Sequence, residues 1–136
     1  MTDLPDPRLD LRVIHRRYVP YSHAHYGGDL VDGAYVLGLF GDVATEVCIR
    51  TDGDEGLFAA YQEVTFHAPV RSGDVLEVSA RLVRIGHRSR ELELTAHVAA
   101  RSRPEHGPSA ASLVQPPLLA VSARGTVVVP PPGDTP

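Results

Sequence analysis

Residues 22–47, SHAHYGGDLVDGAYVLGLFGDVATEV, set His23, His25, Asp29, Asp32, Asp42 and Glu46 among several glycines around the start of an apolar helix. A helix that only packs needs one cap and an apolar stripe, so this surplus of titratable groups points to chemistry. An imidazole at His25, just ahead of the helix, can take up and return protons because histidine titrates close to neutral pH. His23 offers the same group two residues earlier. Unpaired backbone N–H groups at Gly33 and Ala34 can stabilise negative charge on a carbonyl oxygen, helped by the helix dipole, and their small side chains let that oxygen approach. Asp32 stands at the N-cap, where a carboxylate satisfies an orphan N–H; it can also attract a bound cation. Asp42 and Glu46 are four residues apart and share one helix face. Either they are a solvated face, or one of them is held at a subunit interface to orient water or balance charge.

The elements that must hold these groups follow from hydrophobic periodicity. Residues 9–19 alternate apolar and polar and read as a half-buried strand that Pro20 stops. From Gly33 the period changes: Val36, Phe40, Val43 and Val47, with Leu37, Ala44 and Cys48, predict a helix over 33–49. Strand-like runs follow at 57–68, 74–86, 90–101 and 117–129. Tyr61 and Glu63 are expected on one face of the first of these runs, where they either line a pocket or are ordinary outward residues. Arg88 and Arg90 flank a tight turn in GHRSR. The segment 102–116 is expected to be a mobile loop, residues 1–8 a loose lead, and 130–136 a disordered tail. The pattern predicts an α+β domain: a curved antiparallel sheet of about five strands around one central helix. One helix covers such a sheet thinly, and its edge calls for a second copy of the chain.

Composition removes several classes of function. The chain has 136 residues, 43% of them hydrophobic, and a net charge of −4, which fits one globular domain without a nucleic-acid footprint. No apolar run is long enough to span a bilayer and the acidic start is not a targeting peptide, so the expected location is the cytoplasm. All 13 basic residues are arginine, which excludes Schiff-base and phosphate-loop lysines. Cys48 is the lone cysteine and reads as a core residue. His23 and His25 lack a clear third ligand, so no metal is expected.

The element order, with a glycine-rich loop opening the helix, resembles the hotdog fold of acyl-thioester enzymes across nearly all of a single domain, 1–136. The words HAHYGGDLVDGAYVLGLFGDVATEV, TDGDEGLFAAY, FHAPVRSGDVLEV and VRIGHRSREL look like the 3-aminobutyryl-CoA ammonia-lyase family, also called β-alanyl-CoA:ammonia lyases. Similar relatives in actinobacterial secondary metabolism add an amine such as glycine to an enoyl thioester and hydrolyse the product. The resemblance implies a homodimer or higher homo-oligomer with active sites at the interface. It implies no cofactor, with the substrate delivered on CoA or on the phosphopantetheine arm of an acyl carrier protein. Gly33 and Ala34 would hold the thioester oxygen, and His25 would move protons at Cα, the amine or water. Asp32, Asp42 or Glu46 would hold the β-nitrogen or water. Tyr26, Tyr61 and Glu63 would line the acyl pocket, and Arg88 and Arg90 would meet the carrier's phosphates. Two positions depart from the pattern. Asp29 replaces the asparagine of many lyases, and Phe40 occupies the place of an acid in many hotdog thioesterases. The expected reaction is hydrolysis of a β-amino acyl thioester with associated Michael-type amine addition, ahead of a pure ammonia lyase; a non-catalytic acyl-thioester-binding module is the remaining alternative.

Overall fold

The computed structural model describes residues 4–131; the expectations for residues 1–3 and 132–136 lie outside them. In chain order the elements are β1 (Arg12–Tyr18), β2 (Ala24–Tyr26), β3 (Leu30–Val31), α1 (Gly33–Asp52), β4 (Leu57–Phe66), β5 (Val75–Ile85), β6 (Ser89–Ser102) and β7 (Ala111–Val128). Five strands form one antiparallel sheet in the order β1-β5-β6-β7-β4, while β2 and β3 pair separately ahead of the helix. This is the hotdog arrangement, α+β, with one helix packed on one face of the sheet. The core is made by two periods meeting. Every second residue of β5 from Leu76 to Leu82 and of β6 from Arg90 to Val98 is buried, among them Val78, Leu92 and Leu94. Against them lies the three-and-four stripe Val36, Phe40, Val43 and Val47, essentially inaccessible to solvent. Phe40 is thus a core residue, and the acid of other hotdog enzymes has no counterpart at that place.

The helix starts where expected and runs three residues further. Asp32 Oδ1 accepts the Tyr35 N–H at 2.9 Å. At the other end Gly53 takes φ 66° and donates its N–H to the Ile49 carbonyl at 3.0 Å. Only glycine makes that left-handed stop without a steric penalty, so the helix ends at Asp52.

Two segments are more ordered than their composition suggested. The two ends of the expected loop over 102–116 are strand: Ala100, Arg101 and Ser102 pair with Leu113, Ser112 and Ala111, leaving the reversal to 103–110. Pairing with a long neighbouring strand overrode local turn chemistry there. The lead makes contacts where it is described. Arg8 bonds Asp6 at 2.8 Å and crosses to Asp52 at 3.0 Å.

Arg90 requires a correction too. It is 4% exposed and grips Asp52 with two parallel bonds of 3.0 and 2.7 Å. Its remaining nitrogen donates to the Gly86 and Ser89 carbonyls. Every guanidinium nitrogen has a partner inside the protein, so Arg90 is a structural ion pair and not a phosphate contact.

Cys48 is fully buried, and burial, assisted by the nearby Asp52 charge, pushes its thiol up to about 11. In the folded protein it should resist an aromatic disulfide reagent at pH 8 and react only on unfolding. Rapid labelling of the native state would contradict this placement.

Candidate active site

The chain ahead of the helix is folded into a small platform. Ala24 pairs with Val31 and Tyr26 with Leu30, so the chain doubles back and brings His25 beside Asp32. The reversal needs left-handed backbone at Gly28 (φ 71°) and Asp29 (φ 62°). Aspartate and asparagine are the side chains that best tolerate that region, which explains why either can stand at position 29. The platform is fixed to the segment before β5: Val31 N–H donates to Val70 O at 2.9 Å and Ser72 N–H to Asp29 O at 2.9 Å. That segment is braced in turn by Asp74, fully buried, which accepts Arg71 N–H and a two-pronged bond from Arg101. Arg101 also donates to the Pro69 carbonyl at 3.0 Å.

A cavity of about 290 Å³ opens at the helix N-terminus. Asp32, Gly33 and Val36 line it together with Tyr26, Phe66, His67, Val70 and Val121. The walls are mainly apolar, and Asp32 is the one carboxylate among the lining residues. Asp32 caps the helix through Oδ1, leaving Oδ2 3.8 Å from His25 Nδ1. His25 itself is well exposed, its ring edge-on to Tyr26 with centroids 4.6 Å apart. The helix geometry leaves the N–H groups of Gly33 and Ala34 without an intrahelical acceptor, because the first turn has none to offer. The helix N-terminus and the Asp32 carboxylate thus line one mostly apolar chamber together with His67, whose Nε2 lies 2.7 Å from Ser122 Oγ, while His25 stands outside the lining and meets it through Asp32. That combination can polarise a carbonyl and move a proton beside it.

The other candidates lie elsewhere. Glu46 is 13 residues beyond Gly33, about 20 Å along the helix. Both of its oxygens are engaged, one with His15 at 2.8 Å and one with Arg50 at 2.8 Å. These partners hold its carboxyl below the usual range, His15 contributing most. Asp42 is exposed on the helix, away from the mouth. His23 turns aside and packs its ring on Tyr35, with centroids 4.4 Å apart.

Tyr61 and Glu63 do not share a face. An irregularity in β4 sets Tyr61 opposite Gly125 and Glu63 opposite the next residue back, Arg124. The extra residue, Gln62, reverses the alternation. Tyr61 turns inward and donates to the Leu37 carbonyl at 3.3 Å, and burial raises its hydroxyl pKa. Glu63 sits on the outer face beside Glu93 and Arg124. Arg88 donates to the Val129 carbonyl at 3.3 Å and lines a separate hollow near Asp54, past the far end of the helix. Sequence reasoning missed Phe66 and Val70. The quoted word FHAPVRSGDVLEV carried both, together with His67, which also lines the cavity.

Among the described residues no group of three histidine, cysteine or acidic side chains is placed to hold a metal ion, and no helix is long and apolar enough to cross a membrane.

Comparison with known proteins agrees with this fold. The thioesterase superfamily model matches residues 29–103. A 3-aminobutyryl-CoA ammonia lyase of Acetoanaerobium sticklandii is 49% identical over 107 residues, which span 79% of this chain and 85% of that protein. The solved β-alanyl-CoA:ammonia lyase of Clostridium propionicum superposes with a TM-score of 0.84 at 32% identity, covering 89% of this chain and 86% of that one. An uncharacterized acyl-CoA thioester hydrolase of Zymomonas mobilis is 36% identical over a shorter stretch, 46% of this chain and 42% of that protein. The chain is therefore an enzyme of the hotdog-fold thioesterase superfamily and belongs to the family that contains the 3-aminobutyryl-CoA and β-alanyl-CoA ammonia lyases.

Proposed function

We propose that this enzyme adds ammonia or a small amine to the β-carbon of α,β-unsaturated acyl thioesters, and removes it in reverse. The observation that carries the reading is a mostly apolar chamber lined by Gly33 and Asp32 at the helix N-terminus, with the exposed His25 imidazole 3.8 Å from Asp32 Oδ2. In the elimination direction the thioester oxygen sits on the two amides and the Cα–H becomes acidic. His25 takes that proton, and the electron pair passes into an enolate whose negative oxygen the amides stabilise. The enolate then collapses to the Cα–Cβ double bond, the C–N bond breaks with its electrons going to nitrogen, and neutral ammonia departs from the former ammonium. Protonated His25 returns its proton to solvent or to the amine. Asp32 Oδ2 steadies either the imidazole or the β-ammonium, while Oδ1 remains the helix cap. Glu46 is left out of this scheme because both its oxygens are already bonded.

The ordering of reactions differs from the sequence expectation. The two relatives of more than 30% identity that span over two thirds of the chain are both described as lyases, so carbon–nitrogen chemistry is placed first. Hydrolysis of the β-amino acyl thioester is the second reading. It is supported by the superfamily match and by the partial likeness to an acyl-CoA thioester hydrolase, and the same amides would serve a tetrahedral oxyanion. CoA is the carrier we favour, since the names of these relatives specify it; an acyl carrier protein is the alternative.

We place the working unit as a homodimer. β4 is an edge strand with an unpaired side, and Gly38 and Gly41 leave open space beside it on the helix flank. Exposed backbone edge and thin helix flank together suit a second copy.

The test is direct. Crotonyl-CoA with ammonia or glycine should lose its enoyl absorbance, and 3-aminobutyryl-CoA alone should gain it, with little free thiol. Thiol release without any enoyl signal would replace the lyase reading with hydrolysis. Neither signal above background would end both.

A further inference from the structure

We infer that Phe66 sets the size of the substituent that the substrate may carry on its β-carbon. The inference rests on the proposed action on β-amino acyl thioesters. The tip of the Phe66 ring abuts Gly33: a methyl group built on Gly33 would lie 2.7 Å from both Cε1 and Cζ. Gly33 also presents one of the two amides to the thioester oxygen. An acyl group anchored there has its β-carbon two bonds from the carbonyl carbon, and in the chamber the large side chain touching Gly33 is Phe66. The ring is therefore next to the atom on which addition occurs.

Its mounting suits a gauge. Phe66 is the last residue of β4, opposite Val121, and the next two N–H groups, of His67 and Ala68, both donate to the Ala120 carbonyl. The backbone beneath the ring is thus held on the sheet. The side chain is not part of the close-packed core, being 56% exposed. Neighbouring walls are different: Val36 and Val121 are each 1% exposed, and trimming them would cost core packing. Tyr26 is also exposed, but it stands on the platform against His25. Phe66 is the wall residue that can change size without breaking the fold. With phenylalanine in place, the chamber suits a β-carbon bearing hydrogen or one methyl, that is 3-aminopropanoyl or 3-aminobutanoyl thioesters, and disfavours longer β-alkyl groups.

The experiment compares ammonia addition to acryloyl-CoA, crotonyl-CoA and 2-hexenoyl-CoA by wild type, Phe66→Leu, Phe66→Ala and Phe66→Trp, each checked for folding by circular dichroism and thermal melting. Phe66→Leu and Phe66→Ala should raise the hexenoyl-to-crotonyl ratio of kcat/KM by about tenfold or more, within the range one or two methylenes command in an apolar pocket. Phe66→Trp should shift preference from crotonyl towards acryloyl. Folded, active variants whose ratios stay at the wild-type value would overturn the assignment of Phe66 alone. A wild type inactive on all three substrates would remove the proposed function and this inference with it. Because Phe66→Leu keeps most of the apolar surface, loss of folding in Phe66→Ala alone leaves the decision to the leucine and tryptophan variants.

Discussion

Replacing His25 by alanine is expected to lower kcat/KM for β-amino acyl thioesters by about 10²- to 10⁴-fold, the usual weight of a positioned general base. Thermal stability should hardly move, because His25 is well exposed and belongs to no buried cluster. The effect should fall on kcat and kcat/KM together, since the proton is transferred only at the transition state. Exchange of the Cα proton with deuterated solvent gives an independent readout. It should stop in the alanine variant even where substrate still binds, because exchange needs the base and the amides but not departure of the amine. A variant that retained wild-type exchange would move the base to another residue. Asp32→Asn separates the two duties of that side chain. Asparagine is as good a cap as aspartate, so helix stability should persist while the negative charge facing His25 disappears.

The second large effect is on stability. Asp52→Ala should cost about 3–5 kcal/mol, the range found when one partner of a buried ion pair is removed. For a domain of this length that is a fall of roughly 10–15 °C in Tm. Arg90 is left 4% exposed with a charge and no anion, whereas Arg90→Ala leaves Asp52 still bonded to Arg8 at 3.0 Å. Asp52→Ala should therefore be the more damaging of the two, and Arg90→Lys should not restore the wild type because an ammonium cannot make both bonds. The pair also gives a pH dependence of known sign. The Arg90 hydrogen bonds, foremost, hold the Asp52 carboxyl below its ordinary value, against an opposing contribution from burial. A depressed carboxylate contributes stability that is complete above its unfolded pKa, about 3.9, and is lost as pH falls through the lower folded value. Urea melts between pH 6 and pH 2 should show this loss in wild type and less of it in Asp52→Asn. Equal acid sensitivity in the two proteins would show that other carboxylates govern acid unfolding.

Much of this enzyme is local in origin. The change from period two to period three-and-four at Gly33, the cap at Asp32 and the glycine after Asp52 are decided by neighbouring residues, so helix placement was legible and only its last turn was extended. The nearness of His25 to Gly33 and Ala34 at the helix start follows for the same reason: they lie within ten residues on one continuous stretch. What distance along the chain conceals, the tertiary structure decided. Arg90 looks like a solvated turn residue until the end of α1 brings Asp52 against it. Glu46 looks like a candidate acid until β1 supplies His15. One unpaired residue in β4 turns Glu63 away from Tyr61, because side-chain direction in a strand depends on pairing register and a single insertion reverses it. Phe66 alternates like any core residue and becomes a chamber wall only because its strand ends beside Gly33. Local stereochemistry and periodicity thus settle where the reactive groups are presented, whereas the partners that bury, neutralise or confine them come from strands far away in sequence.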